Sequence, residues 1–353
     1  MNRSALTAER ALWWGPALVF VLILAFAPLL FTDFYLSQVI TKALWLGIAA
    51  ASLIFLAAYV GMVSLGQVAL YGIAGFTMAN LVAADGGSPT AWSPWAATLG
   101  GILVAVGFGL FFGAIASRSY GIYFLMLTLA LAVLTYYFFA QVTQLSGFGG
   151  VNNVARPGIV SNPVSDPQNL FYIALGVSAV VYLLVRYLAH TPFGLALQGV
   201  RDDPSRMRAL GYNVPLLRTL AFGLGAFIAS LAGILSVWWN TRISPGSIDL
   251  TRTIDVLVIA VIGGLYRLEG AWVGALVLTA LDNWTRGIDI IGQRFNTVIG
   301  AIFLAIVLLS PGGLMGIWQS ITNFLERQLS GGPPTRPGPA DEARPASNSP
   351  QAS

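Results

Sequence analysis

Cysteine is absent from the 353 residues, lysine and histidine occur once each, as Lys42 and His190, and charged side chains make up 9% of the chain. Without cysteine there are neither disulfides nor thiolate metal sites. No glycine-rich run precedes Lys42, so there is no Walker A phosphate loop and no ATP hydrolysis by that route. His190, at the end of an apolar run, reads as an interfacial residue and not as a ligand or base. No nucleophile stands with an orienting base, and no metal-spacing cluster occurs. No carboxylate within an apolar run has an evident basic partner, and Asp255 and Asp282, near the outer ends of their runs, are expected to face water or partner loops. These absences tell against a membrane enzyme acting on lipid, and against an ion-coupled secondary transporter.

Hydrophobic residues, by contrast, make up 56% of the chain, and the mean hydropathy is +0.76. Apolar runs long enough to span as helices exclude a barrel, whose strands would alternate over short segments. The fold class is therefore all-α, a polytopic helical membrane protein of about ten transmembrane helices, some of them broken or half helices. Residues 1-10 form a cytoplasmic N-terminus, 11-330 the transmembrane domain, and the Gly/Pro/Ala/Ser-rich stretch 331-353 a disordered cytoplasmic tail. Ala25-Phe26-Ala27 imitates a signal-peptidase site, but Pro28 and the length of the first run argue for a retained helix. The sequence pI of about 9.5 follows from arginines at membrane edges. Twelve of them, including Arg118, Arg186, Arg201 and Arg267, sort to the inside, while Lys42, Arg156, Arg242, Arg252, Arg286 and Arg294 sort to the outside, with both termini in the cytoplasm.

Two small-residue stripes mark close-packing helices: Gly101, Ala105, Gly109, Gly113 and Ser117 in the fourth span, Ala221, Gly225, Ala229 and Gly233 in the seventh. The second span, 38–60, ends at Gly61-Met62-Val63-Ser64-Leu65-Gly66-Gln67, a glycine-bearing break followed at once by a short apolar piece, 68–84. Ser64, Gly66, Gln67, Tyr71, Thr77 and Asn80 are candidates to face a polar pathway; the competing reading, the stronger for any single polar side chain among them, is an interhelical hydrogen bond in a packed bundle. Gly263 and Gly264 interrupt a second apolar stretch and join the pathway candidates, since paired interruptions in two halves of a chain point to a transport site. The longest outer loop, 143-168, is a candidate external gate or docking surface.

The one long polar interruption that reads as folded is the loop 191-215. Asp202 and Asp203 before Pro204 suit an N-cap with proline at the first helical position, and Gly211 suits a left-handed terminator, predicting a short helix over 204–210. Arg206 and Arg208 give it a basic flank, and Met207 and Leu210, three apart, form an apolar knob fit for docking. The rival is an amphipathic helix lying on lipid headgroups.

This segment resembles the cytoplasmic coupling loop of branched-chain amino-acid ABC importer permeases of the LivM type. The likeness rests on Thr191-Pro192-Phe193-Gly194, Arg201-Asp202-Asp203 and Ala209-Leu210-Gly211. It extends to Ser64-Leu65-Gly66-Gln67 with Gly72 and Gly75, to Val261-Ile262-Gly263-Gly264 with Gly270 and Gly274, and to Pro311 with Gly313-Leu314. Departures from the family pattern are Leu195 in place of a basic residue, Arg206 and Met207 in place of small ones, and Ser310 and Gly312 in place of Arg and Gln. The resemblance implies an importer transmembrane domain in the bacterial inner membrane, for branched-chain or other hydrophobic amino acids, with urea or short amides as the alternative cargo. It implies a second homologous permease, a periplasmic or lipid-anchored solute-binding protein, and two ATPase subunits that hold the ATP and Mg. This chain then binds no cofactor, no metal and no nucleic acid, touches membrane lipid, and is not itself an enzyme. On the same resemblance, Arg201, Asp202, Asp203, Pro204, Arg206, Met207, Arg208, Leu210 and Gly211 are the ATPase-coupling residues.

Overall fold

A computed structural model describes residues 32–82, 92–161 and 166–286, with 28, 300, 301, 304 and 312–316 besides. All fall in one compact unit, Met1–Gly316. The expected first span, most of the last, the 1-10 terminus and the 331-353 tail lie outside the described residues.

Ten helices of six residues or more lie among the described residues. α1 is Asp33–Val60, α2 Gln67–Val82, α3 Pro94–Ala116, α4 Ile122–Gln141 and α5 Pro167–Ala189. Then come α6 Pro192–Asp202, α7 Pro204–Ala209, α8 Val214–Asn240, α9 Leu250–Gly263 and α10 Gly270–Arg286. Five of them, α1, α3, α4, α5 and α8, are long and apolar enough to cross a membrane. The rest are shorter: α2 has 16 residues and α9 has 14, about 24 and 21 Å at 1.5 Å per residue, less than a ~30 Å hydrocarbon core. The break before α2 and the turn after α9 are the two interruptions visible in the sequence.

Burial sorts the long helices into layers. The most apolar stretch of α1 is 94% buried and that of α8 78%, against 33% in α3 and 28% in α4, so α1 and α8 form the centre and α3 and α4 the periphery. In α1 every residue from Ala43 to Phe55 is buried. The small-residue stripes account for the closeness of the packing. A Cβ on Gly109 would lie 2.2 Å from that of Ala226, and one on Gly233 would lie 2.1 Å from the Tyr71 carbonyl oxygen. α3 thus meets α8, and α8 meets α2, backbone against backbone.

The chain connections define two ends. At the Val60 end lie the 117–121 turn, α6, α7 and the α9–α10 turn. At the Asn240 end, the loop after α4 joins the segment after α8 through an antiparallel bridge between Val151 and Ile243, and Val154 N–H donates to the Thr241 carbonyl at 3.0 Å. The expected long loop is therefore tied down at its start. Ile243 and Ile248 lie over Gly75 and Gly72 of α2, closing the Asn240 end over that helix.

Candidate transport site

The non-helical stretch 61–66 starts where α1 widens into π geometry over Leu56–Val60 and stops at Gly61, whose φ is +73°. Gly61 and Met62 N–H groups both donate to the Leu56 carbonyl. Deeper in the bundle Leu65 N–H donates to Thr128 Oγ1 at 3.2 Å, and Gly66 N–H donates to Ser64 Oγ at 3.2 Å. Irregular backbone at membrane depth persists where protein partners replace water, as these do. Gln67 ends the break. It is 2% exposed, and neither its amide nitrogen nor its amide oxygen has a hydrogen-bond partner. A buried polar group left unpaired is uncommon enough to mark a place where something else supplies the partner.

Ser64, Gly66, Gln67 and Tyr71 are thus gathered on one strip of chain. One helical turn beyond Gln67, the Tyr71 hydroxyl donates to Ser236 Oγ of α8, and the Tyr71 ring stacks on Trp45 of α1 with centroids 6.1 Å apart. Thr77 and Asn80 lie further along α2, and Asn80 turns its amide back onto the Phe76 carbonyl at 2.8 Å. Gly263 and Gly264 occupy the separate α9–α10 turn. There Gly263 packs on the Gly270 backbone, and Gly264, at φ +120°, packs on Gly312; their role in this structure is backbone packing.

Trp45 lies 15 residues before Val60, so the Trp45–Tyr71 stack stands about 22 Å in from the Val60 end. It floors a chamber of about 260 Å³ whose other walls include Ser236, Asn240, Ser244 and Arg252. Only Tyr71 among these was a pathway candidate. Trp45 comes from α1 and the others from one stretch, 236–252, that runs from the end of α8 into α9, and only the docking of that stretch against α1 and α2 brings them together.

A second cavity, about 340 Å³, opens at the Val60 end between the 61–63 stretch, the 119–125 turn and Arg218. Arg218 is 5% exposed, its guanidinium sits 4.0 Å over the Tyr120 ring, and its Nη1 donates to the Ser117 and Ser119 carbonyls at 3.4 Å.

The structure corrects the expectation that no carboxylate within an apolar run pairs with a base. Lys42 Nζ lies 2.7 Å from Asp282 Oδ2, with side chains 18% and 10% exposed. Asp282 therefore faces α1, not water. The pair escaped sequence reasoning because its members are 240 positions apart. Asp255 behaves closer to expectation, 3.5 Å from Arg252 and partly exposed. At the other end of α10, Arg186 Nη1 and the Tyr182 hydroxyl both donate to Glu269 Oε1, at 2.7 and 2.9 Å.

At the Val60 end the interruption 191-215 holds two helices where the sequence suggested one. Thr191 Oγ1 caps α6, accepting from Gly194 N–H at 3.2 Å. Asp203 Oδ1 caps α7, accepting from the Ser205 hydroxyl at 2.5 Å and from the backbone N–H groups of Ser205 and Arg206 at 2.9 and 3.0 Å. These bonds, the Ser205 hydroxyl first, hold the Asp203 carboxyl below its ordinary range. Gly211, at φ +90°, ends α7 in a Schellman turn, with Tyr212 N–H on the Met207 carbonyl and Gly211 N–H on that of Arg208.

The expected Met207–Leu210 knob does not form. Met207 is 8% exposed and packs with Ala196, Val200 and Val214, its sulfur 2.7 Å from where a Gly199 Cβ would be. Leu210 is 68% exposed. The unforeseen α6 takes the methionine as core, leaving Leu210 outward with Arg206 and Arg208. Arg201 also turns inward: its Nη1 donates to the Ala58 carbonyl in the π turn of α1 at 2.6 Å, while its Nε holds Asp202 at 3.0 Å. Its Cγ lies 2.8 Å from where a Gly61 Cβ would stand.

Residues 35–308 match the family model described as "Branched-chain amino acid transport system / permease component". The chain belongs to that family, and it is a multi-pass membrane permease. Among curated proteins it is 29% identical over 138 residues to the high-affinity branched-chain amino acid transport system permease protein BraD of Pseudomonas aeruginosa, covering 39% of this chain and 44% of that protein. It is 24% identical over 200 residues to the probable branched-chain amino acid transport permease protein LivM of Methanocaldococcus jannaschii, covering 53% and 58%. With the permease protein LivH of Salmonella typhimurium the identity is 23% over 271 residues, covering 73% and 86%. The alignments with BraD and LivM thus span about half the length of those relatives. No solved structure matches the chain.

Proposed function

We propose that this chain is one permease subunit of an ATP-driven importer of branched-chain or other hydrophobic amino acids. The α6–α7 face lies in the cytoplasm and seats on one of two ATPase subunits. A second homologous permease completes the pathway, and a periplasmic or lipid-anchored binding protein delivers cargo to the Asn240 end. The observation that carries this reading is the Arg201 clasp. It fastens α6 to the last turn of α1, where the helix gives way to the 61–66 break, so a push on α6–α7 reaches that irregular segment inside the bundle. Such coupling needs a docking contact that differs between two states.

With Met207 assigned to the core, Leu210, Arg206 and Arg208 are the docking residues. Leu210→Asp combined with Arg208→Glu is expected to reduce leucine uptake by at least about tenfold, the effect of losing 1.4 kcal/mol or more of coupling, with the chain still inserted. The same variant should no longer carry a Walker-motif ATPase through an affinity purification in mild detergent. If the wild-type chain purifies alone even after crosslinking, and its uptake follows the proton gradient and survives ATP depletion, the proposal fails.

A further inference from the structure

Resting on the transport reading, we propose that the Trp45–Tyr71 chamber is a binding site of this permease itself, taking one zwitterionic α-amino acid with an apolar side chain. Its volume of about 260 Å³ falls just under the roughly 300–1,000 Å³ range of drug-sized pockets, so it suits a single small solute. Its two faces differ in chemistry. Leu46, Ala49, Val68 and Val256 join the stacked Trp45 and Tyr71 rings to give an apolar floor for a branched or aromatic side chain.

The rest of the lining is polar and cationic. Arg252 lines the chamber, and its contact with Asp255 is 3.5 Å, longer than the roughly 2.7–2.9 Å of a formed charge-assisted bond. That contact engages Nη1, so the remaining guanidinium N–H donors can take a carboxylate in the manner arginine favours, and Arg242 lines the same chamber. Ser244 also lines the chamber, with a hydroxyl that serves either pole. Asn240 uses its amide N–H on the Ser236 carbonyl at 3.0 Å, so the amide oxygen remains an acceptor for the ammonium group. A neutral amide such as urea offers neither a charge for Arg252 nor a side chain for the aromatic floor. The chamber selects between the two cargo classes by chemistry, in addition to any choice made by a binding protein.

The absence of cysteine from the chain makes the test direct, because an introduced thiol is the chain's only one. Ser247→Cys places it in the chamber wall and Gln144→Cys places it on the exposed loop at the same end. Full-length protein in native membranes is labelled with a soluble maleimide, and the rate is read on this chain by mass. L-leucine is expected to slow labelling at residue 247 about tenfold, the factor 1 + [L]/Kd at about nine times Kd, and to leave residue 144 unchanged. Arg252→Gln in the Ser247→Cys background should abolish that protection. Protection by urea but not by leucine overturns the assigned class. Absence of protection by leucine in a Ser247→Cys protein that still supports leucine uptake overturns the site while leaving the transport reading intact. Failure of the wild-type chain to support leucine uptake counts against the transport reading instead, and leaves the labelling rates to judge the chamber.

Discussion

Single residues show how much one position controls here. Lys42 and Asp282 form a close pair between α1 and α10. Removing one member of a buried ion pair strands the other charge and costs on the order of 3–5 kcal/mol, whereas replacing both with well-packed apolar groups is close to neutral. Lys42→Met is therefore expected to lower the thermal unfolding midpoint in detergent sharply, and Lys42→Met with Asp282→Leu to recover most of the loss. Equal midpoints for the single and double variants would show that the pair is not coupled. Asp203 acts through a different effect. Because its folded pKa is depressed, its stabilisation is complete above the unfolded carboxyl value of about 3.9 and fades as pH falls through the lower folded value, so at neutral pH the cap is fully charged. Asp203→Ala is expected to speed tryptic cleavage after Arg206 and Arg208, and Asp203→Asn, which keeps a capping oxygen, to leave it nearly unchanged.

At the scale of elements, backbone proximity sets the tolerance. A side chain at Gly109 would meet Ala226, whereas one at Gly107, two residues away on the same helix, meets nothing within 4 Å. Gly109→Val should overpack the α3–α8 contact at a cost of about 1–3 kcal/mol and lower the yield of monodisperse protein on size exclusion, while Gly107→Val behaves as wild type. Contacts of this kind were legible in the sequence, because a four-residue repeat of small side chains lies on one helix face and admits few other uses. Legible too were the proline and glycine that bound α7, since capping involves residues only a few positions apart. Met207 was misplaced for the complementary reason. Its neighbour Gly199 belongs to α6, a helix of 11 residues that nothing in the polar 191-215 stretch announced except the Thr191-Pro192 start. The chamber and the Lys42 pair lay further out of reach, because they depend on how distant helices dock.

For the whole molecule, the open quantity is which end faces the cell interior. α4 and α5 each cross once between the ends, so the loop carrying Gln144 and the α7 helix carrying Arg208 stand on opposite sides. The arginines divide unevenly between those sides, with Arg186, Arg201, Arg206, Arg208 and Arg267 on the Val60 end, and Lys42, which the sequence counted with the other side, is withdrawn into the bundle. Positive charge flanking spans is retained on the cytoplasmic side, and the proposed import reading requires the chamber outward and the α6–α7 face inward. Both arguments give the same sign. A membrane-impermeant maleimide added to intact spheroplasts should label Gln144→Cys and spare Arg208→Cys until the membrane is permeabilised. Labelling of both from outside would break the bundle as described, and the reverse pattern would put the α6–α7 face outside the cell and overturn its proposed docking to a cytoplasmic ATPase.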